Sequence, residues 1–114
     1  MKPTQKPHYR VVCAVITKDG RALAVQRSKT MKMPLLWEFP GGKVHDNESE
    51  ESALIREIHE ELGATITILS PLQIVQHEYP KFSIDLLPFH AELTSTTLVL
   101  TAPVNLFWCT PRAL

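Results

Sequence analysis

The stretch GKVHDNESEESALIREIHEELGA at residues 42–64 decides the fold, because its second half has the spacing of an amphipathic helix. At about 100° per residue, such a helix carries one apolar arc and one acidic arc. The apolar arc, which we expect to face a core, comprises Leu54, Ile55, Ile58 and Leu62. The acidic arc comprises Glu57, Glu60 and Glu61, with Glu50 about two turns before Glu57.

Both ends of this helix carry residues suited to their positions. Ser49 is suited to the N-cap, and Glu50 and Glu51 follow in the first turn, where the helix dipole favours negative charge. Gly63 stands where a left-handed residue commonly ends a helix. The sequence therefore predicts a helix of roughly 13 residues, which is long enough to hold its side chains in a fixed register.

The acidic arc favours a divalent-cation site. Seven of the twelve acidic residues lie between Asp46 and Glu61, and Arg56 is the only lysine or arginine in that span. The i, i+3 and i+4 spacings bring three glutamates to neighbouring positions, where like charges repel. A hard cation such as Mg²⁺ relieves the repulsion, and without one the carboxylates should bind protons more tightly. The alternative is an ordinary solvated acidic face.

Together with the residues before it, this stretch resembles the Nudix box. The matching pattern is Gly42, five residues, Glu48, seven residues, Arg56-Glu57-Ile58, one residue, Glu60-Glu61, one residue, Gly63. The lead-in WEFPGGK at residues 37–43 resembles the MutT-like branch of that family. The resemblance is close over residues 9–80 and weaker beyond them.

The resemblance implies an α/β fold, the Nudix fold, in which the box helix packs on a mixed β-sheet. It implies one domain over residues 1–114, with a flexible N-terminal tail at residues 1–7 and the box loop and helix at residues 42–64. Relatives continue into a C-terminal helix that is absent here, since the sequence stops at Leu114. Either the sequence is shortened relative to its family, or an apolar sheet face is left uncovered, which a homodimer would cover.

The resemblance also implies hydrolysis of a nucleoside diphosphate-linked substrate with Mg²⁺, or with Mn²⁺ in its place. The first hypothesis is a nucleoside triphosphate, standard or oxidised, cleaved to the monophosphate and pyrophosphate. The alternatives are a nucleotide sugar or a dinucleoside polyphosphate as substrate, and a nucleotide-binding module without turnover. The partner in each case is a nucleotide, and we expect neither a nucleic acid polymer nor a membrane.

Roles are carried over position by position from the family. The implied metal ligands are Glu57, Glu60, Glu61 and the carbonyl of Gly41. Arg56 and Glu48 would orient these ligands, and Lys43 would lie near the phosphates. A further glutamate that MutT-like enzymes carry in the loop before the last strand has no equivalent here, because Glu92 is the last acid of the chain.

Two residues, Arg27 and Phe39, resemble nucleotide contacts of the family, and Tyr79 lies in a predicted turn that we expect to face the ligand. Arg27, at the end of a predicted strand, resembles an arginine that contacts the nucleotide, and a solvated strand-end arginine is the alternative. Phe39 resembles a base-contacting aromatic residue. Tyr79 could stack on a base, with simple packing as the alternative.

Composition limits the remaining possibilities. Twelve basic residues balance twelve acidic ones, but nine of the basic residues fall within residues 1–43, where only two acids occur. A basic approach surface would suit a polyanionic substrate, while ordinary surface lysines are the alternative. The sequence contains neither a membrane-spanning apolar run nor a signal-peptide core, so we expect a cytoplasmic protein. Cys13 and Cys109 are expected to be reduced structural thiols.

The other elements are predicted to be strands. The β-branched run at residues 9–17 and the run at 21–27 flank a hairpin turn at Lys18-Asp19-Gly20. Further strands are expected at residues 65–76, interrupted at Pro71, and at residues 82–93. Pro88 within the latter predicts an edge or a bulge. Short strands are expected at residues 98–100 and 105–110.

Overall fold

The computed structural model describes residues 6–26, 37–94 and 105–109. Within these ranges, one helix and eight strands follow one another along the chain. They are β1 (His8–Lys18), β2 (Arg21–Gln26), β3 (Trp37–Glu38), β4 (Gly41–Lys43), α1 (Glu50–Leu62), β5 (Ile66–Pro71), β6 (Val75–Glu78), β7 (Ser83–Leu93) and β8 (Asn105–Cys109). The strand expected at residues 98–100 lies outside the described residues.

The strands form a mixed sheet built around β1. β1 pairs in parallel with β7, from His8 opposite Ser83 to Ile16 opposite Ala91. It also pairs antiparallel with β4 and β2. β5 and β6 pair with β7, while β3 and β8 pair with β2. The mixed sheet expected from the sequence is therefore confirmed.

The predicted hairpin between β1 and β2 is present, but its turn has two residues, because Lys18 belongs to β1. Lys18 lies opposite Arg21, and the residues between them, Asp19 and Gly20, both have positive φ angles of 52° and 76°. Two successive positive φ values match the right-handed twist of the flanking strands. The turn thereby fixes the register in which β1 pairs with β2.

The helix α1 has the predicted boundaries. The Ser49 hydroxyl accepts a hydrogen bond from the backbone N–H of Ser52, at 3.1 Å, and Gly63 ends the helix with a φ of 61°. The buried face of α1 packs against alternate residues of β1. It comprises Ala53, Leu54, Ile58 and Leu62, and the facing residues of β1 are Val12, Ala14 and Ile16. This burial anchors the acidic face of α1 relative to the sheet.

Ile55 departs from the predicted core face. Its side chain is 46% exposed, although it lies within the apolar arc of the helical wheel. The sheet contacts a narrower arc of α1 than the sequence pattern suggests, and Ile55 falls at its margin. There it lines a surface groove with Ile68 and Leu69 of β5.

Pro71 and Pro88 mark an interruption in the sheet. Pro71 ends β5, as expected, and the chain resumes pairing in β6. Of the two positions expected for Pro88, the edge is wrong, because β7 has partners on both sides. The pairing of β7 with β5 is irregular nearby, with a register shift between Ile68 and Ser70. Pro88 lies opposite the gap between β5 and β6, where its carbonyl accepts a hydrogen bond from the Leu72 N–H at 2.8 Å. Its missing N–H therefore removes no bond from the β1–β7 ladder.

Two residues of the expected N-terminal tail are described, and both contact the sheet. Lys6 forms an ion pair with Glu78 at 2.5 Å and donates a hydrogen bond to the Tyr79 carbonyl at 2.8 Å. The Pro7 carbonyl accepts a hydrogen bond from the Ser83 N–H at 3.0 Å. Within the described ranges, no helix is long and apolar enough to cross a bilayer.

Candidate active site

The two glycines of β4 bring the helix close to the sheet. Gly41 and Gly42 pair with Cys13 and Val12 of β1. A Cβ atom on Gly41 would collide with the backbone carbonyl of Val12, and a Cβ atom on Gly42 would overlap the carboxylate of Glu57. The absence of side chains therefore allows a helix carboxylate to rest directly against the backbone of β4.

Arg56 connects the helix, the preceding loop and β4. Its Nε donates to Glu48 Oε2 at 2.7 Å, and its Nη2 donates to Glu48 Oε1 at 3.0 Å. Nη2 also donates to the Lys43 carbonyl at 3.1 Å. Nη1 lies 3.2 Å from Glu60 Oε2 and 3.3 Å from Glu57 Oε1. A two-pronged arginine–carboxylate pair fixes geometry as well as charge. The orienting role of Arg56 and Glu48 toward metal ligands stays a prediction.

Glu48 is held in its ionised form. The hydrogen bond from Arg56, together with one from the backbone N–H of His45 at 2.9 Å, lowers the pKa of Glu48 to about 2. Hydrogen bonds to the charged form of a carboxyl group lower its pKa in this way. The loop at residues 44–48 is thus tied to the helix by a carboxylate that stays charged at neutral pH.

Glu57 has the opposite tendency. Burial raises its pKa above the ordinary value for a glutamate, and the nearby Glu60 carboxylate raises it further, while Arg56 opposes both effects. The sequence predicts tighter proton binding by these carboxylates because of mutual repulsion. The prediction holds for Glu57, but its main cause is desolvation. A cation placed beside Glu57 would compensate this cost of burying its charge.

The chemistry of the acidic face suits a hard divalent cation, although the face is not already arranged as a coordination sphere. Glu57 and Glu61 are half-buried, Glu60 is exposed, and the Oε1 atom of Glu61 is shielded from solvent. Among the residues the structure describes, no three His, Cys, Asp or Glu side chains are grouped to hold a metal ion. Glu57 and Glu60 instead approach Arg56. The metal-ligand assignment stays a prediction, supported by the oxygen donors and by the close approach of the Glu57 carboxylate to β4 that Gly42 permits.

The residues predicted to contact the nucleotide differ in their surroundings. Arg27 lies outside the described residues, and Phe39 is half-buried immediately before the glycine pair. Tyr79 stacks on Phe82 with ring centroids 4.6 Å apart, which agrees with the packing alternative. Lys43 is exposed. The roles of these residues in substrate binding stay predictions.

An open groove of about 730 Å³ runs between the start of β1 and the loop before α1. Residues 8–10 line one side and residues 43–48 line the other. Glu48 lines this groove and is held by Arg56. The groove therefore adjoins the carboxylate site. Its lining contains basic, imidazole, aromatic and acidic side chains.

Two contacts at this groove were not anticipated from the sequence. Arg10 of β1 forms an ion pair with Glu50 in the first turn of α1. Tyr9 of β1 lies beneath the Lys43 ammonium, with Nζ 4.0 Å from the ring centroid. Both contacts join residues that are more than thirty positions apart, and no local spacing signals such pairs. The only sequence feature that pointed toward these contacts was the presence of basic and aromatic residues at the start of β1.

Comparison with known proteins relates the chain to one family. A Nudix domain family profile matches residues 6–109. The chain is 39% identical over 102 residues to a CTP pyrophosphohydrolase of Escherichia coli (strain K12), covering 90% of this chain and 76% of that protein. It is 41% identical over 70 residues to an 8-oxo-dGTP diphosphatase of Proteus vulgaris, covering 61% of this chain and 60% of that protein.

The fold gives the same result. The crystal structure of a MutT Nudix hydrolase from Burkholderia pseudomallei matches with a TM-score of 0.83 at 29% identity, over 92% of this chain and 84% of that one. The expected family and the expected fold are both confirmed.

Proposed function

The chain belongs to the Nudix family, and we propose that it is a Mg²⁺-dependent pyrophosphohydrolase of nucleoside triphosphates. The proposed reaction cleaves a standard or oxidised triphosphate to the nucleoside monophosphate and pyrophosphate. The names of the two relatives support a nucleotide substrate, and they suggest CTP and 8-oxo-dGTP as the first compounds to test.

The observation that carries the proposal is the placement of Glu57. Its partly buried carboxylate lies against the Cα of Gly42 and beside Arg56, with Glu60 one turn further along α1. An ordinary solvated acidic face has no reason to bury a carboxylate against a glycine backbone. Perturbed carboxylates in such a setting are typical of functional sites.

We assign the residues as follows. Glu57, Glu60, Glu61 and the Gly41 carbonyl would hold the cation. When bound, a divalent cation would neutralise polyphosphate charge and lower the pKa of water, so that a deprotonated nucleophile is available near neutral pH. The carboxylates hold it on the rigid helix, which is what a precise alignment of polyphosphate and water requires.

The remaining residues would act on geometry and charge. Arg56 and Glu48 keep the helix, the loop and β4 in a fixed relation through the hydrogen bonds described above. Lys43 would supply a positive charge to the phosphates. Phe39, Tyr79 and Arg27 are the proposed contacts to the nucleoside part.

A product assay tests this function. The purified protein is incubated with Mg²⁺ and CTP, 8-oxo-dGTP, the standard triphosphates, nucleotide sugars and dinucleoside polyphosphates. We expect a triphosphate to yield equimolar monophosphate and pyrophosphate. Cleavage confined to nucleotide sugars or dinucleoside polyphosphates would change the substrate class. Nucleotide binding without any product would contradict catalysis and indicate a binding module.

The matched control is Glu92→Gln, an exposed acid on β7. This variant should retain the wild-type rate, whereas Glu57→Gln should lose turnover. Equal rates for wild type and Glu57→Gln would contradict the assigned site even if the protein were active.

A further inference from the structure

The side chain of Lys43 is held by an aromatic ring that belongs to a different part of the chain. Its Nζ lies 4.0 Å from the ring centroid of Tyr9, which is within the range of a cation–π interaction. We propose that Tyr9 is a positioning residue that keeps the Lys43 ammonium in the groove, where the phosphates of the substrate would meet it. This inference rests on the proposed function and adds to it a role for the first strand.

The backbone of Lys43 is already fixed, so its side chain is the part that needs positioning. Lys43 pairs with Val11 across β1 and β4, and its carbonyl accepts a hydrogen bond from Arg56 at 3.1 Å. The exposed side chain, by contrast, has four rotatable bonds and considerable rotamer entropy. A ring beneath the ammonium restricts these rotamers before the substrate arrives.

Tyr9 is itself held firmly enough to do this. Its backbone lies in the parallel β1–β7 ladder, opposite Ile84. Its half-buried ring contacts Phe82 edge-on, with centroids 6.0 Å apart, and Phe82 in turn stacks on Tyr79 at 4.6 Å. The aromatic residues therefore form a supported series that ends at the Lys43 ammonium.

The interaction has a suitable strength for a positioning role. A cation–π contact at a partly exposed site is weaker than the charge-assisted hydrogen bond between an ammonium and a phosphate. Lys43 can consequently leave the ring for the phosphate once the substrate binds. Loss of the ring should raise KM about twofold to fivefold and change kcat little, because the contact lowers the ordering cost of binding.

A double-mutant cycle separates positioning from direct substrate contact. Tyr9→Phe keeps the ring and should retain the wild-type KM. Tyr9→Leu removes the ring and should raise KM. In a Lys43→Met background, Tyr9→Leu should cause no further rise, because Tyr9 acts through Lys43. A rise of the same size in both backgrounds would overturn the proposal and indicate that Tyr9 contacts the substrate itself.

Nuclear magnetic resonance provides a readout that does not depend on turnover. In the wild-type protein, the Lys43 Hε protons should be shifted upfield by the Tyr9 ring and show nuclear Overhauser contacts to it. Tyr9→Phe should preserve the shift, and Tyr9→Leu should remove it. Random-coil Lys43 shifts in the wild type, without Tyr9 contacts, would overturn the inference even if Tyr9→Leu failed to fold.

Failure of the proposed function would be recognised separately. If the wild type turns over no substrate while the Lys43–Tyr9 contact is present, the hydrolase assignment is wrong. The same cycle is then measured with inorganic pyrophosphate and Mg²⁺, with Kd in place of KM. Equal pyrophosphate affinity in wild type and Tyr9→Leu would overturn the positioning role.

Discussion

Arg56 binds Glu48 through two hydrogen bonds, from Nε to Oε2 at 2.7 Å and from Nη2 to Oε1 at 3.0 Å. The pair joins α1 to the loop that precedes it, and the same guanidinium reaches the Lys43 carbonyl of β4. Three segments around the acidic face are thereby joined. This polar connection adds to the apolar packing of α1 on β1 and to the pairing of the glycine strand β4 with β1.

The first prediction concerns the pH dependence of stability through Glu48. The pKa of Glu48 is lowered to about 2 in the folded protein, below the value near 4.3 expected in the unfolded chain. A depressed pKa means that its stabilisation is present above the unfolded pKa and is lost as the pH falls through the folded pKa. The stability difference between wild type and Glu48→Gln should therefore be constant near neutrality and shrink from about pH 5 to about pH 2.

Urea unfolding at a series of pH values measures this difference, and Glu92→Gln provides the exposed-acid control. If the difference in unfolding free energy between wild type and Glu48→Gln increased as the pH fell, the prediction would be contradicted. At neutral pH, Glu48→Gln should also lower kcat, since residues that orient ligands typically contribute about 10–100-fold to activity or metal affinity.

The second prediction separates three glycines by what surrounds each of them. Gly42→Ala should lower activity about 10–100-fold with little loss of stability, because its methyl group would displace the Glu57 carboxylate. Gly41→Ala should destabilise the fold, because its methyl group would meet the Val12 backbone. Gly20→Ala has open space but a φ of 76°, so it should cost about 1–2 kcal/mol of stability and leave kcat unchanged.

Unfolding midpoints and initial rates for the three variants distinguish these effects. A Gly42→Ala protein with wild-type activity would show that the close approach of Glu57 to β4 is not required. Equal stability losses for Gly41→Ala and Gly42→Ala would contradict the expectation that the Glu57 side chain moves away more easily than the Val12 backbone.

The third prediction tests which face of α1 supports the fold. Ile58→Ala should cost about 2–5 kcal/mol of unfolding free energy, because Ile58 is fully buried against the sheet. Ile55→Ala should cost less than about 1 kcal/mol, because the side chain is largely exposed and alanine favours a helix. Comparable losses in urea denaturation for both variants would contradict the observed packing of the helix.

Local sequence signals predicted the helix most accurately. Ser49 and Gly63 act through bonds within a few residues of themselves, so their capping roles could be inferred before any tertiary structure was known. The hairpin at Asp19-Gly20 is local in the same sense. Helical spacing alone placed Glu57, Glu60 and Glu61 on one face of α1, whereas the roles assigned to Arg56, Glu48 and Lys43 came from the family resemblance.

Features that depend on distant pairing were not predictable in this way. Pro88 lies in a strand with neighbours on both sides, and it is accommodated there because β5 stops and β6 begins opposite it. The sequence of β7 alone does not show where those two strands stop and begin. The Lys43–Tyr9 contact joins β4 to the start of β1, which are far apart along the chain. The exposure of Ile55 depends on how much of α1 the sheet covers.

The central claim is that the acidic face of α1 holds a divalent cation. Isothermal titration calorimetry of Mg²⁺ into the protein, with a non-hydrolysable triphosphate present, tests it most directly. We predict saturable binding by the wild type, at least about tenfold weaker binding by Glu60→Gln, and unchanged binding by Glu51→Gln, an exposed acid in the first turn of the same helix. No divalent-ion binding by the wild type, or equal binding by wild type and Glu60→Gln, would contradict the account.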